Sequence, residues 1–211
     1  MTIEPAYFKV PFIEQRQCWE FAEQFRRKYW ASDKVPVDVL EIAEFDLELN
    51  IRTISRLKED ADVDALLLGD WQTLIVDQQQ YLEDRFINRM RFSIAHEIGH
   101  YVLHREVFQQ IPRQSVEDWI QFMSGMPDKE YGLLEFHANE FAGRLLVPFD
   151  ELKREFDNSM EELNDNGIPS HKIADSHLAY LCIPLARHFM VSQEVIERRI
   201  WKEKLWPLMG N

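Results

Sequence analysis

Apolar residues recur at helical spacing through most of this chain, and they alternate only in short stretches of its first half. Over residues 12–30, Cys18, Phe21, Ala22, Phe25 and Tyr29 share one face of an amphipathic helix. Arg26-Arg27-Lys28 fall at its end, solvated, where cations suit the helix dipole. Pro36 opens a second helical stretch with Val39, Leu40, Ile42, Ala43 and Phe45 apolar. Residues 49–54 alternate and are rich in β-branched side chains, and 65–68, a Gly69-Asp70 turn and 71–76 read as a hairpin. A long helix is predicted over 84–104, with Phe92, Ala95, Ile98, Gly99 and Val102 as its apolar stripe. Residues 105–132 contain Pro112, Gly125, Pro127 and Gly132 and predict a loop-rich connection with one short helix over 116–123. Helical periodicity returns over 133–146 and stops at Pro148. The remainder is helical, broken by the turn signal Asn166-Gly167-Ile168-Pro169. The pattern predicts an α+β fold, a small sheet packed on helices with a helical C-terminal region. Residues 1–148 are expected to form the core and residues 149–211 a helical extension packed on it.

Composition narrows the functional classes. The chain has 211 residues, 45% of them hydrophobic, enough to bury a sizeable core. Its formal charge of −13 disfavours phosphate backbones and anionic membranes as general partners. Cys18 and Cys182 make no CxxC pair and read as two reduced, buried thiols. The N-terminus has no basic region followed by an apolar run, and no stretch approaches the roughly 20 apolar residues that span a bilayer. These features predict a cytoplasmic protein.

The chemistry is concentrated at His96-Glu97-Ile98-Gly99-His100. Residues four apart on a helix share a face, so both imidazoles reach one metal ion, with Glu97 beside them. A catalytic zinc with two such ligands needs a third, commonly a carboxylate, and keeps one position open. On the 133–146 helix, Glu135 lies a turn before Ala138 near the edge of the stripe formed by Phe141, Ala142, Leu145 and Leu146. Asn139 is its neighbour one turn on, placed to orient a ligating imidazole. Glu135 is therefore the expected ligand and Asn139 its support. His137 and Glu140 point elsewhere, His137 as a partly exposed or supporting histidine and Glu140 as an exposed carboxylate. His104 lies about 12 Å along the helix from His96 at 1.5 Å per residue, too far to share its metal. It reads as structural or as a group lining the cleft.

Two longer motifs carry a family resemblance. Arg91-Phe92-Ser93-Ile94-Ala95-His96-Glu97-Ile98-Gly99-His100, followed by Leu103-His104, resembles the RFTxAHELGHxxLH signature of the ImmA/IrrE family of zinc metallopeptidases. Glu135-x-x-Ala138-Asn139-x-Phe141-Ala142-x-x-Leu145-Leu146-x-Pro148 resembles that family's ExxANxFAxxLLxP. The likeness spans residues 35–148, with weaker similarity to the end of the chain, Ser93 in place of the usual Thr and a longer 105–132 connection. It implies Zn2+ held by His96, His100 and Glu135, with Glu97 as the catalytic carboxylate of a gluzincin-like site. It also implies a protein substrate, typically a separately encoded helix–turn–helix regulator or repressor.

Glu97 is placed to take a proton from water and pass it to the departing amine. A further electrophile on the rim is expected among Tyr131, Tyr101, His104 and His137. Two other functions compete. One is a zinc-stabilised regulatory protein that binds without cutting. The other is DNA binding through residues 185–202, which have helix–turn–helix spacing with Ser192 as cap and Arg198, Arg199 and Lys202 on one face. Met190 in the turn and the surrounding Glu194, Glu197 and Glu203 favour a core-packing helix pair over that reading.

Overall fold

The computed structural model describes residues 4–30, 34–108, 115–167 and 178–206. Its sheet has the order β1-β3-β2, with β1 at Asn50–Ile54, β2 at Ala65–Leu67 and β3 at Thr73–Asp77. β3 is central because its run Thr73-Leu74-Ile75-Val76-Asp77 is buried along its whole length. It pairs antiparallel with β2, as the hairpin pattern predicts, and parallel with β1. The hairpin loop is longer than a two-residue turn, and Asp70 holds it by accepting from the N–H groups of Gln72 and Thr73, each at 2.9 Å.

The helices are α1 (Gln15–Tyr29), α2 (Val39–Glu41), α3 (Leu57–Ala61), α4 (Gln78–Leu82), α5 (Ile87–Leu103), α6 (Arg105–Phe108), α7 (Val116–Ser124), α8 (Asp128–Leu146), α9 (Phe149–Asp165), α10 (Leu178–Phe189) and α11 (Gln193–Lys202). This is the expected α+β class. Several boundaries differ from the periodicity. The stretch opened by Pro36 is one α-turn capped by Asp38, followed by a wide π-turn over Ile42–Asp46 that leaves Phe45 exposed. α8 starts at Asp128, before the expected residue 133. Asp128 and Glu130 favour a helix N-terminus through the macrodipole, and Gly132 is carried inside the helix. α9 ends at Asn166-Gly167, with Gly167 at φ 84°, and the rest of that turn signal lies outside the described residues.

α5 carries His96-Glu97-x-x-His100 and packs against both the sheet and α8. Its buried face is Met90, Ile94, Ala95, Ile98 and Gly99, whereas Phe92 and Val102, expected in the stripe, are only half-buried. Arg91 is buried and ties the helix in place, donating to the carbonyls of Val37 at 2.8 Å and Met190 at 3.3 Å. At Gly99 the two helices meet almost backbone to backbone. A Cβ there would lie 3.1 Å from Cα and from the carbonyl oxygen of Ala138. Gly99→Val should push α5 and α8 apart, costing about 1–3 kcal/mol of overpacking. Thermal denaturation should show a lowered Tm, and an unchanged Tm would refute the close approach.

α11 closes the other side of α8. Glu140, expected to be exposed, is buried and accepts from Gln15 and Trp19, each at 2.9 Å, and from Lys202. The error has a simple cause: helical periodicity cannot show that α1 and α11 both cover that face. Arg144 bridges Glu23 at 2.7 Å and Glu203 at 2.5 Å, and Arg199 is buried against Glu203. Burial lowers Arg199 to about 10, against the opposing pull of Glu203. The cations expected on one face of α11 are thus paired, Arg199 and Lys202 with the carboxylates of Glu203 and Glu140, and Arg198 on the surface with Glu194 at 2.7 Å. Ser192 caps α11 through Val195 N–H, and Met190 turns the pair in a left-handed conformation at φ 52°.

Cys18 and Cys182 are free and buried, and burial pushes both thiols up to about 12. No described helix is long and apolar enough to cross a membrane.

The segment ahead of α1 is a strap along α8. Phe8 is buried with its ring edge-on to Phe122, and Glu130 accepts from Val10 N–H at 2.8 Å and from Lys9 at 3.1 Å. The Val10 amide first, and Lys9 after it, hold the Glu130 carboxylate below the usual carboxylate range against the opposing effect of burial. A depressed folded-state pKa contributes stability that is present above the unfolded value and lost as pH falls. Glu130→Gln should therefore lower Tm near neutrality, with the difference closing as pH drops below 4.5, the ordinary value. A difference independent of pH would contradict the assignment.

Candidate metal and catalytic site

Helical spacing on α5 and the α5–α8 contact together bring the predicted residues to one place. His96 and His100, one turn apart, turn their Nε2 atoms to within 2.9 Å of each other. From α8, Glu135 sets one carboxylate oxygen 3.5 Å from His96 Nε2 and the other 3.7 Å from His100 Nε2. Two nitrogens each about 2.0–2.1 Å from one tetrahedral zinc stand about 3.3 Å apart. The imidazoles need only open by a few tenths of an ångström, so these three donors fit a metal of that kind.

Asn139, one turn beyond Glu135, places Oδ1 3.1 Å from Nδ1 of His96. Accepting a proton there leaves His96 Nε2 bare and fixes the ring's orientation. Glu97 is buried, and its Oε2 accepts from the backbone N–H of Leu67 on β2 at 2.8 Å. Its carboxylate also comes within 4.8 Å of both imidazoles. By distance alone either carboxylate completes the histidine pair. Their surroundings separate them, because the sheet holds Glu97 from behind whereas Glu135 stands in the cleft, 30% exposed.

The cleft above these residues has a volume of about 280 Å³. Tyr131 lines it together with Asp62, Asp64, Ala65, Leu66 and Phe92. Burial raises the Tyr131 phenol, with Glu135 adding to the effect, so the hydroxyl keeps its proton at neutral pH and is a donor at the rim.

The other rim candidates lie elsewhere. Tyr101 takes a hydrogen bond from Arg105 at 3.0 Å and is not in the lining. His104 and His137, considered for the cleft, are buried beneath it, 1% and 0% exposed. His104 Nδ1 lies 2.9 Å from His100 Nδ1, and its Nε2 lies 3.2 Å from His137 Nδ1. Burial lowers the His137 pKa. The i, i+4 spacing of His100 and His104 was the available signal for this contact, and measuring His104 only from His96 conceals it. Nothing local in the sequence marks the Leu67 amide on Glu97.

The IrrE N-terminal-like peptidase domain matches residues 87–200, more than half of the chain. The chain belongs to that family. Its match starts at α5 and runs through both motif helices to α11, taking in the region of weaker similarity beyond residue 148. A search of curated proteins finds no match. The family is of metallopeptidase type and implies a metal. Asn139→Ala removes the acceptor that orients His96, and it should weaken metal binding about 10–100-fold with little change in fold. Metal titration paired with circular dichroism checks this, and unchanged affinity would contradict the role of Asn139.

Proposed function

We propose that this protein is a zinc-dependent peptidase of gluzincin-like design that hydrolyses a peptide bond in a protein substrate. The observation carrying the reading is the convergence of His96, His100 and Glu135 on the floor of an open cleft, with a second carboxylate, Glu97, beside them. His96, His100 and Glu135 would hold the ion. When bound it supplies a Lewis acid and lowers the pKa of water from 15.7 to about 7.

The chain's own residues supply the remainder. Glu97, steadied by Leu67 N–H, accepts a proton from the attacking water and returns it to the departing amine, so one water is consumed per bond cut. Tyr131 offers its hydroxyl proton to the developing oxyanion from the rim.

An extended substrate is supported by the surroundings of the cleft. β2 is an edge strand, paired only with β3 among the described residues, and its Ala65 and Leu66 line the cleft. A peptide laid beside it gains main-chain hydrogen bonds. A second groove of about 570 Å³ meets the cleft at Asp64, Phe92 and Ser93 and continues past Arg89 and Arg198. The resemblance of the two motifs points to a separately encoded helix–turn–helix regulator as the substrate.

Glu97→Gln should retain zinc and lose cleavage by about 10²–10⁴-fold. The assay incubates candidate regulators with wild-type, Glu97→Gln and chelator-treated protein, with metal content measured in each. Undiminished cleavage by Glu97→Gln would refute the mechanism. Zinc uptake with no cut partner across the regulators would favour a binding protein over a peptidase.

A further inference from the structure

The groove that leaves the cleft differs from it in charge. The cleft lining holds the carboxylates of Asp62, Asp64, Glu97 and Glu135, and no Lys or Arg among the described residues. Beyond Phe92 and Ser93 the groove passes between the start of α5 and α11, where Arg85, Arg89 and Arg198 line it. In a chain of net charge −13, guanidinium groups gathered along one groove reverse the local field.

The walls of this groove are tied together. Asn88 donates to the carbonyl of Val191 at 3.2 Å and Arg91 to that of Met190 at 3.3 Å, which bonds α5 to the turn leading into α11. The apolar part of the lining is Phe86, Phe92 and Val195, each half-buried. The Arg85 guanidinium lies over the Phe86 ring, 4.6 Å from its centre. Each arginine has a carboxylate beside it, Arg85 with Glu83 at 2.6 Å, Arg89 with Asp64 at 2.9 Å and Arg198 with Glu194 at 2.7 Å. These are surface pairs, the arginine side chains being 65%, 51% and 54% exposed in that order, and such pairs contribute little to stability. An incoming carboxylate can therefore take the place of Glu83 or Glu194.

We propose that this groove binds an acidic segment of the protein substrate, with its carboxylates on the arginine rim and its apolar side chains on Phe86, Phe92 and Val195. The inference rests on reading the cleft as a peptidase site, which makes the occupant of the groove a continuation of the chain being cut. An extended chain turns successive side chains to opposite faces, so alternating acidic and apolar residues meet rim and floor together. A phosphate backbone fits less well, because Asp64 and Glu194 stand on the same rim and repel an unbroken line of negative charge. The carboxylates of the cleft likewise direct the acidic part of the substrate away from the bond being cut and into the groove.

The test is fluorescence anisotropy on the metal-free protein with a peptide alternating Glu and Leu, its Gln–Leu counterpart and a duplex DNA. The Glu–Leu peptide should bind about tenfold more tightly than the Gln–Leu peptide, and added salt should shrink that preference. Arg85→Gln/Arg198→Gln should remove the preference, with circular dichroism checking that the fold is kept. In 15N spectra of the wild-type protein, the Glu–Leu peptide should shift the amides of Ser93 and Val195, which locates the site without any variant. Equal binding of the two peptides, no binding of either, a preference unmoved by the double substitution, or shifts confined to other residues overturns the proposal. DNA binding that is lost in the same variant also overturns it, in favour of nucleic acid. Cleavage of candidate regulators is assayed separately with zinc restored. Acidic preference without any cut partner keeps the groove's specificity and overturns the peptidase reading, whereas cleavage without acidic preference does the reverse.

Discussion

The contact on which the rest depends is the approach of α5 to α8 at Gly99 and Ala138. The absence of a side chain at Gly99 lets the two backbones come close enough that even a Cβ would press on Ala138. Within one turn on either side of that point lie His96 and His100 on one helix and Glu135 and Asn139 on the other. A separation larger by an ångström would put the Glu135 oxygens beyond reach of the imidazoles, which they now approach at 3.5 and 3.7 Å. Ile94, Ile98, Phe141 and Leu145, all fully buried, hold the seam by apolar burial, the dominant favourable term in folding.

Buried polar groups then secure this pair from two sides. Below the histidine pair, His104 and His137 fill the space between the helices and lead to Ile13. On the far face of α8, Glu140 and Arg144 gather Gln15, Trp19 and Glu23 from α1 with Lys202 and Glu203 around α11. A polar network inside a protein is costly when half satisfied and rigidifying when complete. The histidines beneath the site are bonded to the strap, which leads directly into α1. The sheet contributes the remaining support, through the Leu67 amide on Glu97.

Much of the site was legible in the sequence because helices translate spacing into faces. His96 and His100 needed only the i, i+4 rule, and Glu135 with Asn139 followed from the stripe of Phe141, Ala142, Leu145 and Leu146. The α+β class, the hairpin and the cap at Ser192 were likewise local signals. What local pattern could not show was which element covers which face. Glu140 read as exposed because α1 and α11 are distant in sequence, and Phe45 was counted in a helical stretch because apolar spacing does not reveal a π-turn. Of the alternatives left open for His104 and His137, burial favours the structural one for His104 and removes the exposed one for His137, and their contact, which joins positions 33 apart, had no local signal. The start of α8 was missed because Pro127 and Gly132 look like loop residues, although Asp128 and Glu130 suit a helix N-terminus.

The central claim is that the two helices form one metal site with a position left for chemistry. Zinc-edge X-ray absorption on the stoichiometrically loaded protein, combined with anomalous scattering from its crystals, addresses it directly. The account predicts a single ion bonded by Nε2 of His96, Nε2 of His100 and a carboxylate oxygen of Glu135, with one further light ligand that exchanges with solvent. An ion closed by four protein ligands, or bound away from these residues, would contradict it.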